Sequence, residues 1–204
     1  MKRDGDRCFG DGDPLYERYH DEEWGRPVVD ERGLFERLCL EAFQSGLSWL
    51  IVLRKREAIR RAFGDFDVRA VARFSHADVA RLLEDPSIIR NRGKISAVVA
   101  SARATLALWE EGSSLRSLLW GAAPPPRPAP VSFDDVPAST DGSVALARDL
   151  RRRGFRFVGP TTVYATMQAV GVVNDHLVSC PVRDQVEADR ASVGPAGRPP
   201  GPGR

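Results

Sequence analysis

Residues 158–180 read VGPTTVYATMQAVGVVNDHLVSC, and the stretch closes on His176 and Cys180. Residues four apart share a face of a helical turn, so this His-x₃-Cys pair has metal-ligand spacing. Two more residues of ligand type, Cys8 and His20, lie near the other end of the chain. Two Cys and two His drawn from both ends of one domain point to a closed, four-coordinate zinc site that staples the ends together. With no coordination position left for water, such a zinc is structural. Spacing alone leaves open the alternative of two unrelated pairs.

Working outward, the periodicity is helical almost everywhere. Asp13-Pro14 reads as an N-cap followed by proline in the first turn, opening a helix through Tyr16, Tyr19 and His20. Asp30 precedes a second helix whose stripe is Leu34, Phe35, Leu38, Cys39 and Ala42. Gly46 breaks the chain before a third helix from Leu47 or Ser48. Ser75 to Asp78 has the form of a helix cap, and Lys94 to Trp109 is a long helical run ended by Gly112. Helical patterning resumes over 143–153 and 161–170. The expected class is all-α, a single domain over residues 1–180.

Residues 121–130, GAAPPPRPAP, lack the backbone donors for a helix or sheet interior and are expected to form an extended surface linker. Residues 181–204, rich in Pro, Gly and Arg, are expected to be a disordered tail. A chain of 204 residues with 42% hydrophobic and 28% charged residues is ordinary for one globular domain. No apolar run is long enough to span a membrane. The polar start, MKRDGDRCFGDGD, predicts no signal peptide and a cytosolic chain, where three cysteines are thiols or ligands rather than disulfides. A net charge of +2 is too small to prove a polyanionic partner. Basic residues cluster around 54–61, 90–94 and 148–156, each of which also reads as a solvated helix face.

Glu41 lies three and seven residues beyond Leu38 and Leu34, which puts its carboxylate beside the apolar stripe. A carboxylate at a core edge needs a partner, either an arginine or an amino-bearing ligand. Trp49, Tyr16, Tyr19 and Trp24 add aromatic faces with polar tips. A flat ligand stacked on aromatics and read by a carboxylate is a nucleobase-like arrangement, although an aromatic cluster alone is also ordinary core. The run Arg90-Asn91-Arg92-Gly93-Lys94 falls between two expected helices, where a tight turn can aim N–H groups and cations at a phosphate.

The strings DPLYERYHDEEWG, LCLEAFQSGLSWLIVLRKRE, IIRNRGKI and RRRGFRFVGPTTVYATMQAVGVVNDH together resemble the DNA-3-methyladenine glycosylase I family, the zinc-containing branch of the helix-hairpin-helix DNA glycosylases. They cover most of residues 7–180 in the expected order. The resemblance implies that Cys8, His20, His176 and Cys180 hold one structural zinc. It also implies that Glu41 is the base-recognition carboxylate, Trp49 the stacking platform, Tyr16 and Tyr19 pocket aromatics, and Trp24 a pocket-lining residue. Arg90, Asn91, Arg92, Gly93 and Lys94 would form the hairpin that anchors DNA. The implied activity is monofunctional hydrolysis of the N-glycosidic bond of 3-methyladenine in duplex DNA, by a monomer in the cytoplasm of a bacterium, on the nucleoid. The proline-rich insert and the tail depart from the family pattern. Two other classes compete with it. One is a zinc-stapled nucleic-acid binder without turnover, which would not bind free 3-methyladenine. The other is a hydrolase with catalytic zinc, which the full set of four protein ligands disfavours.

Overall fold

The computed structural model describes residues 7–10 and 12–193, and among these every regular element is a helix. Helix α1 (Pro14–Glu22) starts where expected, with the Asp13 carboxylate accepting from the Leu15 and Tyr16 amides at its open N-terminus. Asp30 caps α2 (Glu31–Gln44) through the Gly33 amide. Helix α3 (Trp49–Ala62) follows Ser48, and short α4 (Val68–Ala72) is capped by Asp67. A reciprocal Ser75–Asp78 capping box opens α5 (His76–Glu84), and Asn91 caps the long α6 (Arg92–Glu110) through the Lys94 amide. Helices α7 (Leu115–Gly121), α8 (Asp141–Arg152), α9 (Pro160–Ala169) and α10 (Arg183–Val193) complete the set. No helix of the described residues is long and apolar enough to cross a membrane.

The centre of the molecule is α2. Its second half, Leu38 to Phe43, is buried on every side, and the helix touches α3, α6, α7 and α9. A helix apolar all round must be interior. Glu41 is the one charged side chain in that buried half-helix, so the fold itself carries a carboxylate into the core. Cys39 is a buried core thiol, as its place on the stripe suggested.

Two expectations change. The chain does not lose structure at residue 181. Helix α10 covers residues 183–193, with Val186 fully buried, Arg26 paired with Asp189, and Arg190 donating to the Gly171 and Val172 carbonyls at 2.7 and 2.9 Å. Averaging composition over 181–204 hid RDQVEADRASV, a good helical string, behind the Pro/Gly-rich end. The rest of the expected tail, 194–204, lies outside the described residues. The stretch 121–130 is extended beyond Gly121, but it is more than a surface crossing. Pro130 accepts from the Val178 amide at 2.8 Å, and Arg127 reaches a buried aspartate.

Candidate functional site

Cys8, His20, His176 and Cys180 meet, all buried, with their ligand atoms within 4.8 Å of one another. The Cys8 Sγ to His176 Nδ1 separation is 3.6 Å, Cys180 Sγ to His176 Nδ1 is 3.3 Å, and Cys180 Sγ to His20 Nε2 is 3.5 Å. Tetrahedral zinc, with bonds of about 2.3 Å to sulfur and about 2.0 Å to nitrogen, sets S···N edges near ~3.5 Å. The donor set therefore has the size of a metal tetrahedron. Its surroundings fit as well: His20 Nδ1 lies 2.8 Å from the Asp21 carboxylate and His176 Nε2 lies 3.0 Å from the Trp24 carbonyl, which fixes each ring with its other nitrogen turned to the centre. The Leu177 amide donates to Cys8 Sγ at 3.3 Å. The Cys8 thiol, then His176 and His20, hold the Cys180 thiol far below its ordinary value against the opposing effect of burial.

An aromatic wall joins this cluster to a cavity. Phe9 packs edge-on against His20 at 4.9 Å between ring centroids and against Trp24 at 5.0 Å, while Trp24 meets His176 at 4.5 Å. The faces of Phe9, Tyr16, Tyr19, Trp24 and Trp49 then line a cavity of about 340 Å³. Tyr19 and Trp49 are 5.1 Å apart. Helix α9 closes another side with Thr161, Tyr164, Ala165 and Gln168, and the segment from Phe133 to Ala138 forms a rim. The volume matches a site for one flat heterocycle.

Glu41 opens into this cavity, and it is the sharpest feature there. Its nearest cation, Arg37, is committed elsewhere, donating to Glu23 Oε2 at 2.6 Å; Arg56 takes the same carboxylate with two bonds, at 2.5 and 2.8 Å. Burial would raise Glu23, but Arg56 and Arg37 outweigh it and hold that carboxyl down at about 2. Glu41 itself accepts no hydrogen bond from any described residue. Burial pushes its pKa up to about 8, only partly offset by Arg37. The arginine partner that would make Glu41 structural is thus absent among the described residues, and a ligand is the remaining partner. Trp49 Nε1 is likewise buried without an acceptor.

The hairpin residues divide. Arg90 and Asn91 at the end of the α5–α6 turn and Arg92 and Gly93 at the start of α6 are exposed, and Lys55 Nζ ties down the Pro86 and Ser87 carbonyls of that turn at 3.0 Å each. Lys94 does not join them. Its side chain is buried, and Nζ donates to the Phe43 carbonyl at 2.8 Å and the Ser45 carbonyl at 2.5 Å. The expectation that Lys94 contacts DNA is corrected: it closes the C-terminal end of α2, just beyond Glu41. Its position in the first turn of α6, about half a turn beyond Arg92, turns it toward the core, a direction that a string of cations does not reveal. Sequence reasoning also passed over Gln168, Tyr164 and the rim at Phe133; an i, i+4 pair on α9 was the available signal for the first two.

A sequence model of the methyladenine glycosylase family matches residues 9–184. The chain is 46% identical over 170 residues to the DNA-3-methyladenine glycosylase 1 of Escherichia coli, covering 82% of this chain and 91% of that protein. A DNA-3-methyladenine glycosylase of Haemophilus influenzae is 41% identical over 174 residues, 83% of this chain and 92% of its own. A crystal structure of a 3-methyladenine DNA glycosylase I superposes with a TM-score of 0.84 at 47% identity, covering 86% of this chain and 98% of that one. The Staphylococcus aureus glycosylase I, studied for its recognition of 3-methyladenine, gives a TM-score of 0.82 at 36% identity over 86% of this chain and 95% of its own.

Proposed function

The chain belongs to the methyladenine glycosylase family, and from that membership together with its cavity we propose that it is a DNA-3-methyladenine glycosylase acting in base-excision repair. It turns the alkylated nucleotide out of the duplex, seats the base among Trp49, Tyr16, Tyr19 and Trp24, and hydrolyses the N-glycosidic bond. The single observation that carries the reading is Glu41, a buried carboxylate facing an aromatic cavity without a hydrogen-bond partner among the described residues.

The chemistry follows from charge. Methylation at ring nitrogen 3 makes the base cationic, so it departs neutral and needs little help from a general acid. Ionised Glu41 accepts from the amino group of that cation, a charge-assisted bond worth about 1.5–3 kcal/mol. Stacking on an aromatic adds about 1–3 kcal/mol per base. A mismatched or weakly stacked nucleotide is also the least costly to flip. The bond breaks toward an oxocarbenium-like sugar and water completes the reaction, with no lysine nucleophile and no strand cleavage.

Cys8, His20, His176 and Cys180 would hold one zinc ion, which supplies folding energy and takes no part in the reaction. We assign DNA anchoring to the α5–α6 turn as a helix-hairpin-helix element, through Arg90, Asn91, Arg92 and Gly93. The reading carries with it duplex DNA as partner, action as a monomer, and a cytoplasmic place on the nucleoid.

The test is single-turnover release of free base from methylated duplex DNA, with Glu41→Gln beside the wild type. Release of 3-methyladenine by the wild type and much slower release by the variant is the expected result. Equal release by both removes Glu41 from the mechanism, and no release by folded wild type at any enzyme excess leaves a nucleic-acid binder without turnover.

A further inference from the structure

Behind the α9 wall of the cavity lies a hydrogen-bond network that the base-binding residues leave untouched. The Asp175 side chain is fully buried. One of its oxygens accepts from Arg127 Nη2 at 2.5 Å; the other accepts from the Tyr164 hydroxyl at 2.7 Å and from Gln168 Nε2 at 2.9 Å. Tyr164 and Gln168 are one turn apart on α9 and both line the cavity. Arg127 comes from the proline-rich stretch, and its guanidinium also donates to the Tyr164 oxygen at 3.2 Å and to the Asp135 carbonyl under the rim at 3.4 Å.

This network decides which way the Gln168 amide faces. A carboxylate oxygen only accepts, so the amide must turn an N–H toward Asp175. The flipped amide would set its carbonyl oxygen against the carboxylate at the same short distance, two acceptors with no proton between them. Oε1 therefore faces away from Asp175, and no described residue donates to it. The Tyr164 proton is committed to Asp175, so that residue gives the cavity a ring face and no donor. What Tyr164 and Gln168 together offer a bound base is an acceptor.

We propose that Gln168 is a specificity-determining residue: its Oε1, oriented by Asp175 and Arg127, accepts an N–H from the seated base and repels a base that presents a carbonyl there. With Glu41 as a second acceptor, the substrates of the site are alkylated purines bearing a 6-amino group, and 6-oxo alkylated purines are rejected. Discrimination of this kind works through the unpaired or repelled acceptor as much as through the bond gained. Asp175 and Arg127 are positioning residues. The inference rests on the glycosylase reading and adds the atom that selects the base.

The experiment uses duplex DNA carrying both 3-methyladenine and 3-methylguanine, and reads the ratio of their single-turnover release rates. Wild type, Gln168→Leu, Asp175→Asn and Arg127→Lys are compared, each with its metal content and melting temperature. Gln168→Leu is expected to lower the adenine-to-guanine ratio by about tenfold, the size of one neutral hydrogen bond. Asp175→Asn lowers it as far, because an amide partner lets Gln168 reverse, whereas Arg127→Lys keeps it within about twofold by retaining a cation. A folded Gln168→Leu protein with unchanged metal content and an unchanged ratio overturns the proposal, whatever Asp175→Asn does. If the wild type releases neither base, the glycosylase reading falls and this inference with it; release with an unaltered ratio sinks this inference alone.

Discussion

The Trp24 indole sits edge-on against the His176 ring, centroids 4.5 Å apart, so a wall of the base cavity is also a wall of the Cys/His cluster. Whatever holds His176 in place holds that part of the cavity in place.

Metal removal should therefore cost both fold and ligand binding. Structural zinc contributes about 10 kcal/mol or more to apparent stability in small domains, and this chain, with a larger core, should lose a few kcal/mol and not its whole fold. Cys180→Ser is expected to lower the melting temperature, reduce bound metal well below one ion per chain and weaken binding of free 3-methyladenine. Full metal loss with an unchanged melting curve and unchanged base affinity would show the cluster to be dispensable.

The pH dependence follows from Glu41. Its folded pKa, about 8, lies above its ordinary value of 4.5, so between those limits the folded chain keeps a proton that the unfolded chain releases. Stability therefore falls as pH rises through that window, by a few kcal/mol in all, and Glu41→Gln should flatten the decline. Activity runs the other way. The ionised carboxylate accepts far more strongly from a cationic base than the protonated acid does, so single-turnover kcat/KM in the wild type should climb from pH 6 through a midpoint near 8 and level off above it. A flat wild-type profile would contradict the assigned role.

Lys94 is buried and Arg92, two residues before it, is exposed. Removing the Lys94 ammonium leaves the Phe43 and Ser45 carbonyls short of a donor. Lys94→Met should cost about 1.5–3 kcal/mol of stability with little change in the salt dependence of DNA binding. Arg92→Ala, at an exposed position, should leave stability alone and reduce the salt slope by about 0.9 for one lost phosphate contact. Titrations at several salt concentrations, paired with urea melts, distinguish the two; a reversed pattern would return Lys94 to the DNA face.

Truncation after residue 182 removes α10, and with it buried Val186, the Arg26–Asp189 pair and the Arg190 bonds to the Gly171 and Val172 carbonyls. Burying one valine side chain alone is worth about 1.5–3 kcal/mol, so a drop of several degrees in melting temperature is expected. Because Arg183 also bonds the His176 carbonyl, metal exchange should speed up, measurable with a chromogenic chelator. A truncated protein that melts and exchanges metal like the full chain would make α10 an ornament.

Much of this site was readable in residue order because it depends on periodicity. Glu41 follows from its offset to Leu34 and Leu38, and the ligand types of the metal quartet were visible at both ends of the chain. His176 and Cys180 nevertheless lie outside any helix, and their four-residue spacing alone left two unrelated pairs open. Residues acting through long-range partners were not readable. Arg127 sits in a run of prolines and finds Asp175 only once the chain has folded back. Lys94 looked like one more cation in a basic run, yet about half a turn of helix separates the solvent-facing Arg92 from a lysine aimed at the core. Helix α10 was lost to averaging, since eleven helix-forming residues abut a Pro/Gly-rich end.

Cys8 and Cys180 stand near opposite ends of the described chain yet share one cluster. On the ribosome, the second half of that cluster emerges after helices α1 to α9. Closing so long a loop carries an entropy cost that local helical contacts do not. The sequence of events this implies is helices first and ion capture late, so the base pocket gains its final wall only after Cys180 has joined the cluster. Refolding followed by tryptophan emission should accordingly show a fast phase indifferent to metal and a slow one whose rate depends on metal concentration.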